Sequence, residues 1–316
     1  MPRMTAPHAP AFRVAARLGL ATSALMFALI VLGSVVRTTG SGLACPDWPL
    51  CHGRLIPPLQ FNVFIEWFHR LIALLVSLLL FATVAWSLTR RALRARLGGL
   101  ALLASGLLLV QVLLGALTVW KLLHPSVVSS HLAVALLLFA SMLALTLVAR
   151  AEAGLGAPVA ATARPPGLLP AFALAAVMVY GQSLLGGLVS THHAGLACPD
   201  WPTCHGAWFP PLAGLVGLQV LHRWGAYLLV AAMIVVAARA RGAPDAALRA
   251  GGPLALGLTL AQVAVGVTNV FLAVPVWLSA VHLALATGLL ATLVTLTFRA
   301  ALLPARAPAA SLAAAS

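Results

Sequence analysis

Four histidines stand in segments otherwise built mainly from Leu, Ala and Val: His69, His131, His222 and His282. They form two equivalent sets, because His222 follows His69 by 153 residues and His282 follows His131 by 151. A polar side chain in an apolar, membrane-length segment is costly and is usually kept for function. A lone histidine there is ordinarily a hydrogen-bonded packing residue, but four in matched positions point to a ligand set. Two imidazoles facing each other across a four-helix bundle suit axial ligation of haem, whose ring supplies the other four nitrogens. A zinc or copper ion would want a third or fourth protein ligand at the same level. No carboxylate or thiol accompanies His222 within its segment. The expected metal is therefore haem iron, held once by His69 with His131 and once by His222 with His282.

The two sets differ in one chemical respect. Glu66 lies three residues before His69, on the same helical face, and Gln219 holds the matching place before His222. Glu66 is the only acidic residue in any expected span, where a carboxylate is costly unless paired or protonated. The asymmetry assigns reactivity to the first half and a permanent cofactor to the second. The structural alternative is that Glu66 pairs with Arg70 or Arg37. Arg70 and Arg223 directly follow two of the histidines, and Arg37 ends the first apolar run. These guanidiniums could receive haem propionates or reach to lipid headgroups.

A dodecapeptide, Gly42–Gly53, recurs as Gly195–Gly206 and differs only where Leu50 becomes Thr203. All four cysteines lie in these copies. Of the three possible connectivities, pairing within each loop, Cys45–Cys51 and Cys198–Cys204, is the simplest, because Pro46 and Pro49 turn the chain between the first two. Such a bridge could staple the loop or exchange electrons with a partner thiol protein. A metal reading through Cys51-His52 and Cys204-His205 lacks an obvious fourth ligand. His192 and His193 have no counterpart in the first half, and either gate access or are simple loop residues.

Eight apolar segments must position these residues, at approximately 17–37, 63–89, 97–119, 128–149, 168–190, 215–238, 252–272 and 277–298. The 316-residue chain is 62% hydrophobic and 8% charged, against about 25% charged in a soluble domain. It cannot cover itself with a polar surface, so an all-α polytopic membrane protein is expected, each span a helix. The run Leu18–Val36 is too long for a signal-peptide core and reads as an uncleaved first span. The net charge of +14 reads as topology, since no basic face with aromatic interleaving suggests nucleic acid. With both termini cytoplasmic, 14 of the 19 basic residues fall on that side, as the positive-inside rule requires. Both cysteine loops then face an extracytoplasmic, disulfide-permitting compartment. The organisation is a tail over 1–16, a four-helix bundle over 17–149, a linker over 150–167, a second bundle over 168–299 and a tail over 300–316. An even number of spans per half implies a pseudo-twofold axis along the membrane normal. Gln111-Val112-Leu113-Leu114-Gly115 answers Gln262-Val263-Ala264-Val265-Gly266, and Gly33 answers Gly186. These glycines read as helix-packing positions.

The paired Cys-Pro-Asp-Trp-Pro-x-Cys-His-Gly loops, Glu66-Trp67-Phe68-His69-Arg70, Ser130-His131, Leu221-His222-Arg223 and Val281-His282 together resemble the haem A synthase family, over nearly the whole chain from Arg17 to Arg299. The resemblance implies oxidation of a methyl substituent of haem O to the formyl group of haem A, for aa3-type cytochrome oxidase. It implies substrate haem on His69 and His131 with Glu66 beside the reacting methyl, and haem B as cofactor on His222 and His282. Haem O synthase, cytochrome oxidase assembly factors and a thiol-disulfide protein are the candidate partners, and a homo-oligomer the candidate assembly. Some members carry cysteines in the first loop only or in neither, so the complete second pair argues for a staple. Two other readings compete: a bis-His dihaem electron-transfer protein without synthase activity, and a transporter or haem chaperone. The first leaves Glu66 against Gln219 unexplained, and the second calls for polar residues through the bilayer midplane.

Overall fold

The computed structural model describes residues 8–156, 159 and 161–305. Arg3, Arg306 and linker residues 157, 158 and 160 lie outside them. Eight helices follow in order: α1 Ala9–Thr38, α2 Phe61–Thr89, α3 Arg91–Trp120, α4 Pro125–Glu152, α5 Leu168–Thr191, α6 Gly214–Arg241, α7 Ala246–Phe271 and α8 Val276–Leu302. No strand occurs among the described residues. The helices run 24 to 30 residues, about 36–45 Å at 1.5 Å per residue, and all eight are long and apolar enough to cross a membrane. The chain is an all-α, multi-pass membrane protein.

Several helices extend past the apolar runs that announce them. α1 starts at Ala9, α3 at Arg91 and α7 at Ala246, and α8 ends at Leu302. Hydropathy marks what lipid covers, whereas the hydrogen-bond ladder continues into polar residues until a cap stops it. Pro10 suits the first turn of α1, where its missing N–H costs nothing. Asp245 caps α7, accepting from Ala247 N at 3.0 Å and Leu248 N at 3.1 Å.

Within the first half, α2 packs on α1 and α3, and α4 closes the ring against α1 and α3; α5–α8 repeat this arrangement. Between halves, α4 meets α5, α8 meets α1, and α4 meets α8. Exchanging the halves leaves this set of contacts unchanged.

The rings are solid at one end and hollow at the other. Phe12, Leu80, Leu97, Met142 and Leu145 of the first half and Phe172, Met233, Leu248 and Leu293 of the second are fully buried in one continuous apolar core. All lie toward the basic helix ends, away from the cysteine loops. Ion pairs join neighbouring helices there, Arg96 with Glu152 and Arg299 with Asp245 at 2.7 Å. Arg164 of the linker donates its backbone N–H to Pro304 O at 2.8 Å and its Nη1 to Ala300 O at 3.0 Å. At the loop end, the α3–α4 and α7–α8 turns each place two non-glycine residues at positive φ, Leu122 and Leu123 (49° and 58°) and Ala273 and Val274 (56° and 60°). A Cβ on Gly42 would lie 3.2 Å from Leu123, and one on Gly195 3.3 Å from Val274. Each cysteine loop thus begins pressed against its half's second turn.

Candidate functional site

The hollow end holds a cavity of about 1500 Å³ lined by residues of all eight helices. Single-ligand pockets usually measure roughly 300–1,000 Å³, so the space admits more than one large ligand. His69, His131, His222 and His282 all line it.

Each histidine ring lies against a glycine of the neighbouring helix. A Cβ on Gly33 (α1) would stand 3.4 Å from Cε1 of His69 (α2), and one on Gly115 (α3) 3.4 Å from Cε1 of His131 (α4). In the second half the gaps are tighter: 3.0 Å from Gly186 (α5) to His222 (α6) and 2.9 Å from Gly266 (α7) to His282 (α8). The glycines therefore admit the rings as well as the helices. Nδ1 of His69, His131 and His282 is buried without a hydrogen-bond partner. Gln111 Nε2 approaches His131 Nε2 at 3.3 Å. Gln182 Nε2 lies 3.0 Å from His222 Nδ1 and donates to His222 O at 2.7 Å. The donor set fits a large ligand with its own equatorial nitrogens: four imidazoles on glycine backings, in a wide, mostly apolar chamber.

Glu66 is buried at 4% exposure and lines the same cavity. Its Oε1 accepts from Arg70 Nη2 at 2.6 Å, and its Oε2 accepts from Cys45 N at 2.7 Å. Of the two arginines considered from sequence, Arg70 is the one that pairs with it. Gln219 is equally buried, but its Nε2 donates to Gly195 O at 3.3 Å and its Oε1 has no partner. The duplicate keeps the shape of the side chain without the charge.

Both loops are closed by disulfides within the loop, Cys45–Cys51 and Cys198–Cys204, which leaves no cysteine as a thiolate ligand. Arg70 holds the first loop through Asp47 O and Leu50 O, both at 2.6 Å, and Cys45 O at 3.1 Å. Arg223 holds the second through Asp200 O (2.7 Å), Thr203 O (2.6 Å) and Cys198 O (2.6 Å). Asp47 accepts from His52 N and Gly53 N, and Asp200 from His205 N and Gly206 N. Those backbone donors, Gly53 foremost, hold the Asp47 carboxyl below the usual range. Asp200 is also held below the usual range, first by the Thr203 hydroxyl at 2.6 Å and then by Gly206. His52 and His205 bond the carbonyls of Ala44 and Ala197, each at 2.9 Å, so both rings belong to the loops. Gly42, Trp48, Pro49, Leu50 and Cys51 line the cavity from the first loop, and Gly195, Leu196 and Trp201 from the second.

Arg37 crosses between the halves. Its Nη2 donates to Ser190 O at 2.6 Å and lies 3.3 Å from His193 Nε2. His192 Nδ1 lies 3.0 Å from Leu188 O of its own helix. Sequence reading missed Gln182, whose counterpart 153 residues earlier is Leu29. The signal was present as an uncharged amide inside an apolar run, without a match in the other half.

A family profile described as COX15-CtaA, cytochrome oxidase assembly protein, matches residues 16–62 and 58–294. The chain is 33% identical over 252 residues to a protein named heme A synthase from Symbiobacterium thermophilum, covering 78% of this chain and 82% of that protein. It is 32% identical over 322 residues to one of the same name from Methylobacterium radiotolerans, covering 85% of each. A third, from Shewanella oneidensis, is 30% identical over 317 residues, covering 87% of this chain and 93% of its own. The profile spans both loops and the four histidines, the relatives cover most of the chain, and on that footing the chain belongs to the COX15-CtaA family of cytochrome oxidase assembly proteins.

Proposed function

We propose that this protein is a haem A synthase, a membrane oxidoreductase that converts a methyl substituent of haem O to the formyl group of haem A. The observation that carries this reading is the pairing of two glycine-backed histidine sets in one cavity with a buried carboxylate in the first set alone. A protein that only passed electrons between two haems would have no use for that difference.

His69 and His131 hold the substrate haem, and His222 and His282 hold haem B. When bound, haem B supplies a redox centre beside the substrate. The chain's own residues bind, orient and exclude water. Converting a methyl to a formyl group with oxygen from water (R–CH3 + H2O → R–CHO + 4 H+ + 4 e−) releases four electrons, which must pass to an external electron acceptor, and four protons, so a proton acceptor is needed at the reacting carbon. Glu66 is that acceptor and the fixed anion opposite the developing positive charge. Arg70 and Cys45 N hold its two oxygens and thereby fix its direction. Arg37, Arg70 and Arg223 line the cavity and form its cationic rim for the haem carboxylates. Arg70 spends four of its five N–H donors on the loop and Glu66, and Arg223 spends three. Arg223 therefore keeps more donors for a propionate.

The basic, solid end faces the cytoplasm together with both termini, and the disulfide loops face outward. The halves are 17–149 and 168–299, joined by the linker over 150–167 and related by a pseudo-twofold axis along the membrane normal, which the exchange-symmetric helix contacts support. Haem O synthase, cytochrome oxidase assembly factors and a thiol-disulfide protein are its partners in this reading, with a homo-oligomer as its assembly.

The test is to purify the protein from cells that make haem O, extract its haem and separate it by chromatography. Haem B with haem O or haem A is expected. His222→Ala should lose haem B, and His69→Ala should lose the O or A species. Haem B alone from the unaltered protein would sink the synthase reading and leave an electron-transfer protein.

A further inference from the structure

The two halves wall off the cavity differently on the flank formed by their second and third helices. In the first half, Leu71, Leu74 and Ser77 of α2 and Leu108 and Val112 of α3 line the cavity. Leu74 also stands on the lipid-facing stripe of α2, at i, i+4 and i+7 with Leu78 and Phe81, and these three are 55%, 56% and 70% exposed. Val112 is likewise exposed, next to Leu109 one turn back. The wall between cavity and lipid is therefore one side chain thick there. Ser77 spends its hydroxyl on Ala73 O at 2.8 Å, so it adds width rather than polarity. In the second half the places of Leu71 and Leu74, 153 residues on, belong to Trp224 and Tyr227. Both rings are partly buried and both are tied to the second cysteine loop. Trp224 packs on the Cys198–Cys204 cluster and meets Phe209 edge-on, with ring centroids 5.8 Å apart. Tyr227 faces the cavity, and its hydroxyl donates to Pro202 O at 3.5 Å. Val263, the counterpart of Val112, is partly buried too.

We infer that the flank between α2 and α3 is the lipid-side opening of the first half, where the isoprenoid chain of the substrate haem lies, and that Trp224 and Tyr227 seal the matching flank of the second half. This rests on the haem A synthase reading proposed above. Haem O differs from haem B in carrying a farnesyl-derived chain in place of a vinyl group. Such a chain is driven out of water into lipid or an apolar slot. Leu74 lies five residues past His69 along α2, about 7.5 Å closer to the bilayer midplane at 1.5 Å per residue. A ring held at the level of His69 can thus point its chain inward over Leu74, Leu108 and Val112, and on into the membrane. A product whose chain already lies in lipid leaves sideways without crossing water. A cofactor without a chain needs no such opening, and the two aromatic rings close it.

The experiment transplants the seal. Leu71→Trp with Leu74→Tyr is made in the full-length protein, purified in detergent with haem B in place from cells that make no haem O. Binding of added haem O, and separately of added haem B, to the first site is titrated by visible absorbance. Affinity for haem O should fall roughly 10–100-fold, the worth of two or three methylene groups driven out of an apolar slot. Affinity of the same site for the chain-free haem B should hold, as should the resident haem B. Unchanged affinity for haem O, or an equal loss for both haems, would overturn the inference. Should the variant fail to fold, the unaltered protein is loaded with haem O bearing a photoreactive diazirine at the end of its chain, and the labelled peptides are mapped. Label on residues 71–78 and 108–112 is expected, and label confined to the cysteine loops or to other helices would overturn the inference equally. Failure of the unaltered protein to bind haem O at all would instead sink the haem A synthase reading.

Discussion

At the scale of single residues, Glu66 and Gln219 form an internal control. The fold accepts an uncharged amide at this position, since Gln219 is as buried as Glu66. Glu66→Gln should therefore fold and retain haem B while haem A formation falls about 10²–10⁴-fold, the usual worth of a positioned acid or base. Haem A yield per bound haem B measures this, and undiminished yield would remove Glu66 from the chemistry. The glycine backings make a graded prediction. Gly186→Ala and Gly266→Ala place a methyl 3.0 and 2.9 Å from the rings, a degree of overpacking that costs about 1–3 kcal/mol, so haem B occupancy should drop. Gly33→Ala and Gly115→Ala place it at 3.4 Å and should be milder. The histidines and Glu66 were legible in the sequence because polar residues stand out in apolar runs and because duplication doubles the signal. Gln182 was not, because its meaning lies in a mismatch between the halves. The glycines were legible as small residues but not as the backing of particular rings, which depends on how two helices rotate against each other.

At the scale of elements, α7 depends on its first residues. Asp245 caps the helix and also pairs with Arg299 of α8 through both carboxylate oxygens. Arg299, first among the causes, holds the Asp245 carboxyl below its ordinary range. Its folded pKa is depressed, so its contribution is complete above the ordinary carboxylate value of about 3.9 and is lost as pH falls through the lower folded value. Thermal stability in detergent should decline below about pH 4, and Asp245→Asn should flatten that decline. Asp245→Ala leaves Arg299 without this partner and the cap empty, and should cost about 3–5 kcal/mol. Asp245→Asn keeps a cap acceptor and should cost less. Helix number and order were legible from hydropathy, whereas the ends were not. α1 and α3 start among Arg, Pro and Ala residues outside the apolar runs, and the start of α7 is set by the Asp245 cap and its pairing with Arg299.

At the scale of the whole molecule, one end of the bundle is packed and the other is built around a cavity of about 1500 Å³. Ligand that fills the cavity should stabilise the hollow end by mass action, whereas the solid end keeps itself folded. Hydrogen exchange followed by mass spectrometry should show haem protecting α2 and α6 around residues 66–77 and 219–229, with little change near Leu97, Met142 or Met233. Uniform protection along every helix would contradict this division. The duplication was plain in the sequence, but the meeting of both histidine pairs in one space was not, since it depends on how α1, α4, α5 and α8 meet. That meeting carries a consequence. Arg37 reaches Ser190, and Ser190 is its own counterpart in the repeat, 153 residues on. Two separate copies of the first half, assembled in the same manner, would set guanidinium against guanidinium at that point. A single chain lets the two halves carry different residues at that position, a cation in one and a hydroxyl in the other, which two identical copies could not.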